Sequence, residues 1–253
     1  MNTIFKAAFT ISFLLTSSMS YSAKPPISIV QKQLLLNFKA PLAKSKDLEI
    51  LKKKVLSLKG KAVPTLIKVM KSGHFPDKNR WVATFLLGKV MGKKSAPFIS
   101  KFVIHPNWVM RMASLKALLA LRQKNYVSLY VRALKDKSLL VRTQALENIR
   151  RFDLKAQAVH VWAMLYDKKN YHQLKQGSKR SRIVKNIIKT IGELRFKKAL
   201  QPLLKMIQKK KYRDIFGEMD QALCAITGKD SPKGSKTVKR YFWQRVGVET
   251  LKI

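Results

Sequence analysis

Acidic residues are what this 253-residue chain has least of: 13 Asp and Glu stand against 53 Lys and Arg, a formal net charge of +40. That balance excludes an ordinary near-neutral domain. It makes a polyanion the default partner, whether nucleic acid, anionic lipid, acidic polysaccharide or an acidic protein. Arginine is short as well, with 13 of the 53 cations. Lysine is a hydrated point charge on a flexible stem, whereas arginine's planar fork reads phosphates and base edges, so the lysine excess favours diffuse attraction over geometric readout. Cysteine occurs once, as Cys224, which excludes an internal disulfide and any site of several thiolates. Its setting, Ala222-Leu223-Cys224-Ala225-Ile226, is that of a small apolar residue. What the chain does have is a 46% hydrophobic share, enough to bury a core and too much for a disordered basic tail.

The N-terminus reads as a secretory signal over residues 1–23. Met1 to Lys6 carries one cation, Ala7 to Leu15 is mostly apolar, and Ser18 to Ala23 is a run of mainly small residues. Cleavage is expected after Ser22 or Ala23, giving an exported, periplasmic or secreted chain. The alternative is an uncleaved anchor. Removing residues 1–23 removes Lys6 and no acid, so 52 cations and 13 anions leave +39. No later stretch is long and apolar enough to span a bilayer.

The remaining chain repeats. Arg80, Arg111 and Arg142 stand 31 residues apart. Three positions on come the small residues Ala83, Ser114 and Ala145, and seven on the branched aliphatics Leu87, Leu118 and Ile149. Small and large residues at alternate helical phases let one helix approach its neighbour while still filling a core. Pro64, Pro97 and Pro202 each sit where a second helix begins, since proline in a first turn forfeits no hydrogen bond. The unit is therefore two antiparallel helices that must stack on the next pair to bury their apolar faces.

Asn79-Arg80-x-x-Ala83-x-x-Leu86-Leu87-Gly88, then Ala96-Pro97, with Val141-Arg142-x-x-Ala145 repeating the signature, resembles HEAT-like repeats of the lyase-associated type. The resemblance covers about residues 45–228 and implies an all-α fold, an α-solenoid of about five to six stacked antiparallel helix pairs. Residues 24–44 are then an N-terminal extension and 229–253 a C-terminal cap. Second helices line the concave side of this architecture, so the resemblance implies a cationic stripe through Lys68, Lys71, Lys101, Arg132 and Lys135, continued by Lys205 and Lys209. Ordinary solvated positions are the alternative for these residues, and inter-repeat ties the favoured role for Arg80, Arg111 and Arg142.

The repeat step is broken once, by a basic insertion at 167–182 that carries Lys175, Lys179, Arg180 and Arg182. Insertions in repeat arrays emerge as loops on one face, so these four join the candidate binding residues, a solvated connector being the alternative. Between Asp77 and Asp136 lie 58 residues without an acid and with 12 Lys or Arg. Such uncompensated charge is stabilised by anions gathering on it.

Catalytic groups are sparse. His74, His105, His160 and His172 show no metal-ligand spacing, and the acids are scattered singly apart from Glu218 and Asp220, which project to different helix sides. No G-x-S-x-G, P-loop or dinucleotide fingerprint occurs. Asp77 and Asp136 are expected as turn and cap residues, and Trp81, Trp108 and Trp162 as packing residues. Two function classes fit. One is a non-catalytic exported scaffold, without cofactor or metal, that binds an acidic protein, anionic lipid headgroups or wall polymer. The other is a nucleic-acid-binding protein or an enzyme resembling the HEAT-like alkylpurine DNA glycosylases, which argues less well from a chain with an export signal and no defensible groove carboxylate.

Overall fold

The computed structural model describes residues 28–171 and 182–250. The expected signal at 1–23 and Lys175, Lys179 and Arg180 lie outside the described residues. Among the described residues the chain is all-helical, without a β-strand. The α-helices are α1 (Ile29–Lys39), α2 (Ser45–Leu58), α3 (Val63–Lys71), α4 (Asp77–Met91), α5 (Ala96–Ser100), α6 (Trp108–Ala120), α7 (Val127–Ala133), α8 (Leu139–Arg151), α9 (Ala158–Ala163), α10 (Arg182–Glu193), α11 (Leu200–Ile207), α12 (Phe216–Thr227) and α13 (Lys236–Thr250). No helix among these residues is long and apolar enough to cross a membrane.

Helix starts and stops follow local chemistry. Asn107 caps α6 by accepting from the Val109 amide at 2.8 Å, and proline occupies the first turns of α3 and α5. The stops recur in form. Arg122, Asp153 and Arg195 have φ of 54°, 49° and 51°, and the amide after each bonds back five residues, Gln123 to Leu118, Leu154 to Ile149 and Phe196 to Ile191. This is the left-handed ending that satisfies orphan helix carbonyls. Arg122 and Asp153 stand at the 31-residue step.

Helix α4 packs on α6, α6 on α8, α8 on α10 and α10 on α12, so alternate helices form one continuous layer. The helices between them, α5, α7, α9 and α11, each pack on a member of that layer. Ala83, Ser114 and Ala145, with Leu87, Leu118 and Ile149, are fully buried along α4, α6 and α8, so both phases of the repeat face neighbouring helices. The approach is closest at α10 and α12, where a Cβ on Gly192 would stand 2.6 Å from the Cα of Ala222. Only glycine permits that contact.

Two details depart from expectation. The helices between the layer members are short, and two of them finish in 3₁₀ turns, Lys101–Ile104 after α5 and Met164–Tyr166 after α9, so Lys101 lies on a 3₁₀ turn rather than an α-helix. The tryptophans at repeat positions are not the buried ones: Trp108 is 41% exposed and Trp81 and Trp162 are half-buried, whereas Trp243 of α13 is fully buried. Each of the first three meets solvent on one side of a thin helical layer. Trp243 is covered because α13 lies against α11.

Candidate polyanion-binding surface

The cations divide into two populations, and burial decides which is which. The three repeat arginines are buried. Arg111 donates to both carboxylate oxygens of Asp136 at 2.7 and 2.8 Å and to the carbonyls of His105 and Pro106. Arg142 repeats the local half of this pattern, donating to the carbonyls of Asp136 and Lys137, again six and five residues back. Its remaining donors reach the Asn170 side chain and the Lys169 carbonyl, both at 2.8 Å. Arg80 donates to the Met70 carbonyl and lies 3.4 Å from Asp77 and 3.3 Å from Nε2 of His105. Every guanidinium thus binds its own turn and reaches the next turn along. Burial lowers the pKa of Arg142, with Asp167 and Asp136 opposing that shift, and a planar five-donor fork is the group that can satisfy so many buried acceptors.

This use of arginine settles where the scarce acids go. Asp77 and Asp136, which bound the acid-free run, are both taken by ladder arginines, Arg80 and Arg111. Of the run's 12 cations the other ten have no carboxylate within ion-pair distance among the described residues. Elsewhere Arg150 bridges Glu147 and Glu193, and Arg151 adds to Glu147. Burial pushes the Glu147 carboxyl up, but hydrogen bonds from Arg151 and Arg150 outweigh it and hold the group below the usual carboxylate range. Glu218 pairs with Lys185 across α10 and α12, while Asp220 is turned toward α13. No three His, Cys, Asp or Glu side chains among the described residues gather as a metal would need.

The second population is exposed. Lys68 and Lys71 on α3, Lys101, Arg132 on α7, Lys135, Lys205 on α11 and Lys209 are all exposed, and none makes an ion pair with a described residue. Lys71 Nζ stands 5.8 Å from the ring centroid of Phe98, which places it beside α5. Arg132 and Lys135 border an open groove of about 650 Å³ whose other wall is Val103 to Pro106 and whose end is closed by Arg111 with Asp136. Arg182 stands apart. It lines a different cavity, about 320 Å³, with Glu147, Arg150 and Lys189. Asp167 to Tyr171, the first part of the expected insertion, forms the turn that receives Arg142, with Asp167 accepting from the Lys169 amide at 2.9 Å.

His105 sits at a joint of the ladder, its Nδ1 accepting from the Asn107 amide at 3.0 Å while Arg80 faces Nε2. Burial first, and then the Arg80 charge, hold its pKa below 6.5. The folded state therefore favours neutral imidazole. Its contribution to stability is complete above pH 6.5 and is lost as pH falls below that value toward the lowered folded one. Urea midpoints measured between about pH 7 and about pH 5 should decline, and His105→Gln should flatten that decline. An equal slope in wild type and variant would place the titration elsewhere.

Sequence reasoning missed the ladder's acceptors and an aromatic cluster. His105 and Asp136, which meet Arg80 and Arg111, are themselves 31 residues apart, and Tyr166 follows Lys135 by the same step, so the periodicity held a signal for all three. No protein-family model matches the chain, and no curated protein matches it.

Proposed function

We propose that this protein is a non-catalytic exported scaffold, an α-solenoid of HEAT-like helix pairs that binds an acidic partner through its second-helix face. The acidic protein, anionic lipid headgroups and wall polymer weighed from the sequence share the chemistry this face offers. One observation carries the reading. Arginines are consumed inside, with Asp77 and Asp136, while the exposed cations from Lys68 to Lys209 keep no carboxylate of their own among the described residues. Charge left uncompensated in this way repels itself unless a polyanion lies across it. The stacked-repeat architecture is supported by the consecutive packing of α4, α6, α8, α10 and α12, and by the helix endings and arginine contacts that recur at the 31-residue step. Export is supported by the composition of residues 1–23.

The test compares two triple charge reversals. Lys68→Glu, Lys101→Glu and Arg132→Glu should weaken binding of poly-L-glutamate, or of phosphatidylglycerol vesicles, by more than about tenfold at near-physiological salt. Reversal of Lys197, Lys198 and Lys233, exposed cations away from the stripe, should cost only a few-fold. Equal losses would leave diffuse charge and no groove. The native protein's first residue, read by N-terminal sequencing, should lie near Ala23 or Lys24. A chain that begins at Met1 would remove export and return nucleic acid as the leading partner.

A further inference from the structure

Behind the cationic stripe, four aromatic side chains from separate segments meet around one cavity. Trp162 of α9, Tyr166, Tyr171 and Tyr212 line a pocket of about 260 Å³, floored by aliphatic residues including Val184 of α10 and Met206 of α11. No charged side chain lines it. Cations flank it instead: Lys168 and Lys169 lie between Tyr166 and Tyr171 in the chain, Lys205 precedes Met206, and Lys211 Nζ stands 5.1 Å from the Tyr212 ring centroid. Tyr166 is 73% exposed, so its ring forms the mouth rather than the core.

We propose that this pocket takes one ring of an anionic polysaccharide, the flanking lysines holding its carboxylates. This rests on the polyanion-binding reading above and narrows it. Three features favour a sugar. The cavity lies below the roughly 300–1,000 Å³ of pockets for drug-sized ligands, which suits a single ring and not a long acyl chain. The Trp162 and Tyr166 rings stand at 72° to each other, centroids 6.3 Å apart. Such an angled corner grips a puckered ring from two sides, whereas a flat nucleobase stacks on a face parallel to it. Aromatic faces are negative, so they attract the C–H face of a pyranose, while tyrosine hydroxyls at a pocket rim meet its hydroxyl edge. An isolated apolar sugar site would need no lysines around it. Four flanking cations and no lining acid select an acidic sugar.

The experiment is calorimetric titration of the full chain with tetragalacturonate at graded salt, with maltotetraose as the neutral counterpart. Tetragalacturonate should bind more tightly than maltotetraose, and more weakly as salt rises. Tyr166→Ala, at an exposed position that folding does not depend on, should weaken tetragalacturonate about tenfold, while Tyr166→Phe stays within about twofold because it keeps the ring. Unchanged binding by Tyr166→Ala overturns the pocket; if the stripe reversals still matter, the scaffold reading survives. Binding of poly-L-glutamate, oligothymidylate or phosphatidylglycerol vesicles without tetragalacturonate overturns the choice of polysaccharide, and binding of none of these overturns both readings. If only a variant lacking residues 172–181 binds tetragalacturonate, the pocket belongs to the chain's own segment and the inference falls.

Discussion

Arg142→Ala should lower the melting temperature by about 10 °C or more. The buried guanidinium donates four hydrogen bonds, to Asn170 and to the carbonyls of Asp136, Lys137 and Lys169. Truncation leaves those acceptors buried and unmet, and breaking a buried charged network by removing one partner costs about 3–5 kcal/mol. In a chain of this length each kcal/mol moves the midpoint by roughly 2–4 °C. Arg142→Lys should recover little, because an ammonium has three donors on one atom and cannot span carbonyls on both sides of the joint with the Asn170 oxygen. Thermal melts of the two variants check this. A lysine variant as stable as wild type would mean that charge, and not the fork, holds the turns together.

The second large effect is expected at the C-terminal end. Asp220 is buried on α12, where one carboxylate oxygen accepts from the Trp243 indole at 2.7 Å and the other from Lys239 at 2.5 Å and Ser231 at 3.1 Å. Asp220→Ala should cost about 2–4 kcal/mol, since it leaves the indole N–H buried without an acceptor and a half-buried lysine without its partner. Asp220→Asn keeps an acceptor for the indole and should cost less. Trp243→Ala removes a fully buried ring and should cost about 3–5 kcal/mol. The form of the urea transition distinguishes two roles for α13. A single transition shifted to lower urea means that α13 seals the end of the whole helical layer, as its packing against α11 indicates. A first step confined to α13 would make it an appendage.

Much of the helix order was legible in residue spacing, because a repeated unit writes the same packing problem several times. Ala83, Ser114 and Ala145 need only be small, and Leu87, Leu118 and Ile149 only large, for the 31-residue step to show that neighbouring helices touch along one face. The starts at Pro64 and Pro97 are legible for the same local reason. The ladder's partners were harder to see. Arg111 meets Asp136 across 25 residues and Arg142 meets Asn170 across 28, and no local propensity marks a side chain whose acceptor lies in the next turn. The aromatic pocket was least visible. Its walls come from residues 162 to 212, each ordinary in its own segment, and the tryptophans that looked like packing residues lie partly in solvent.

Composition alone determined that this chain carries far more positive charge than it can neutralise, and periodicity alone that its helices recur in pairs. Both are properties of which residues are present and how far apart they stand. Which cations remain available to a partner was decided by tertiary structure. Folding draws the repeat arginines and their aspartates inward, where a planar fork satisfies carbonyls that water can no longer reach, and leaves the flexible lysines on the surface. The net charge is the same before and after folding. Its distribution depends on desolvation, which distinguishes a buried guanidinium from an exposed ammonium only once the turns have closed.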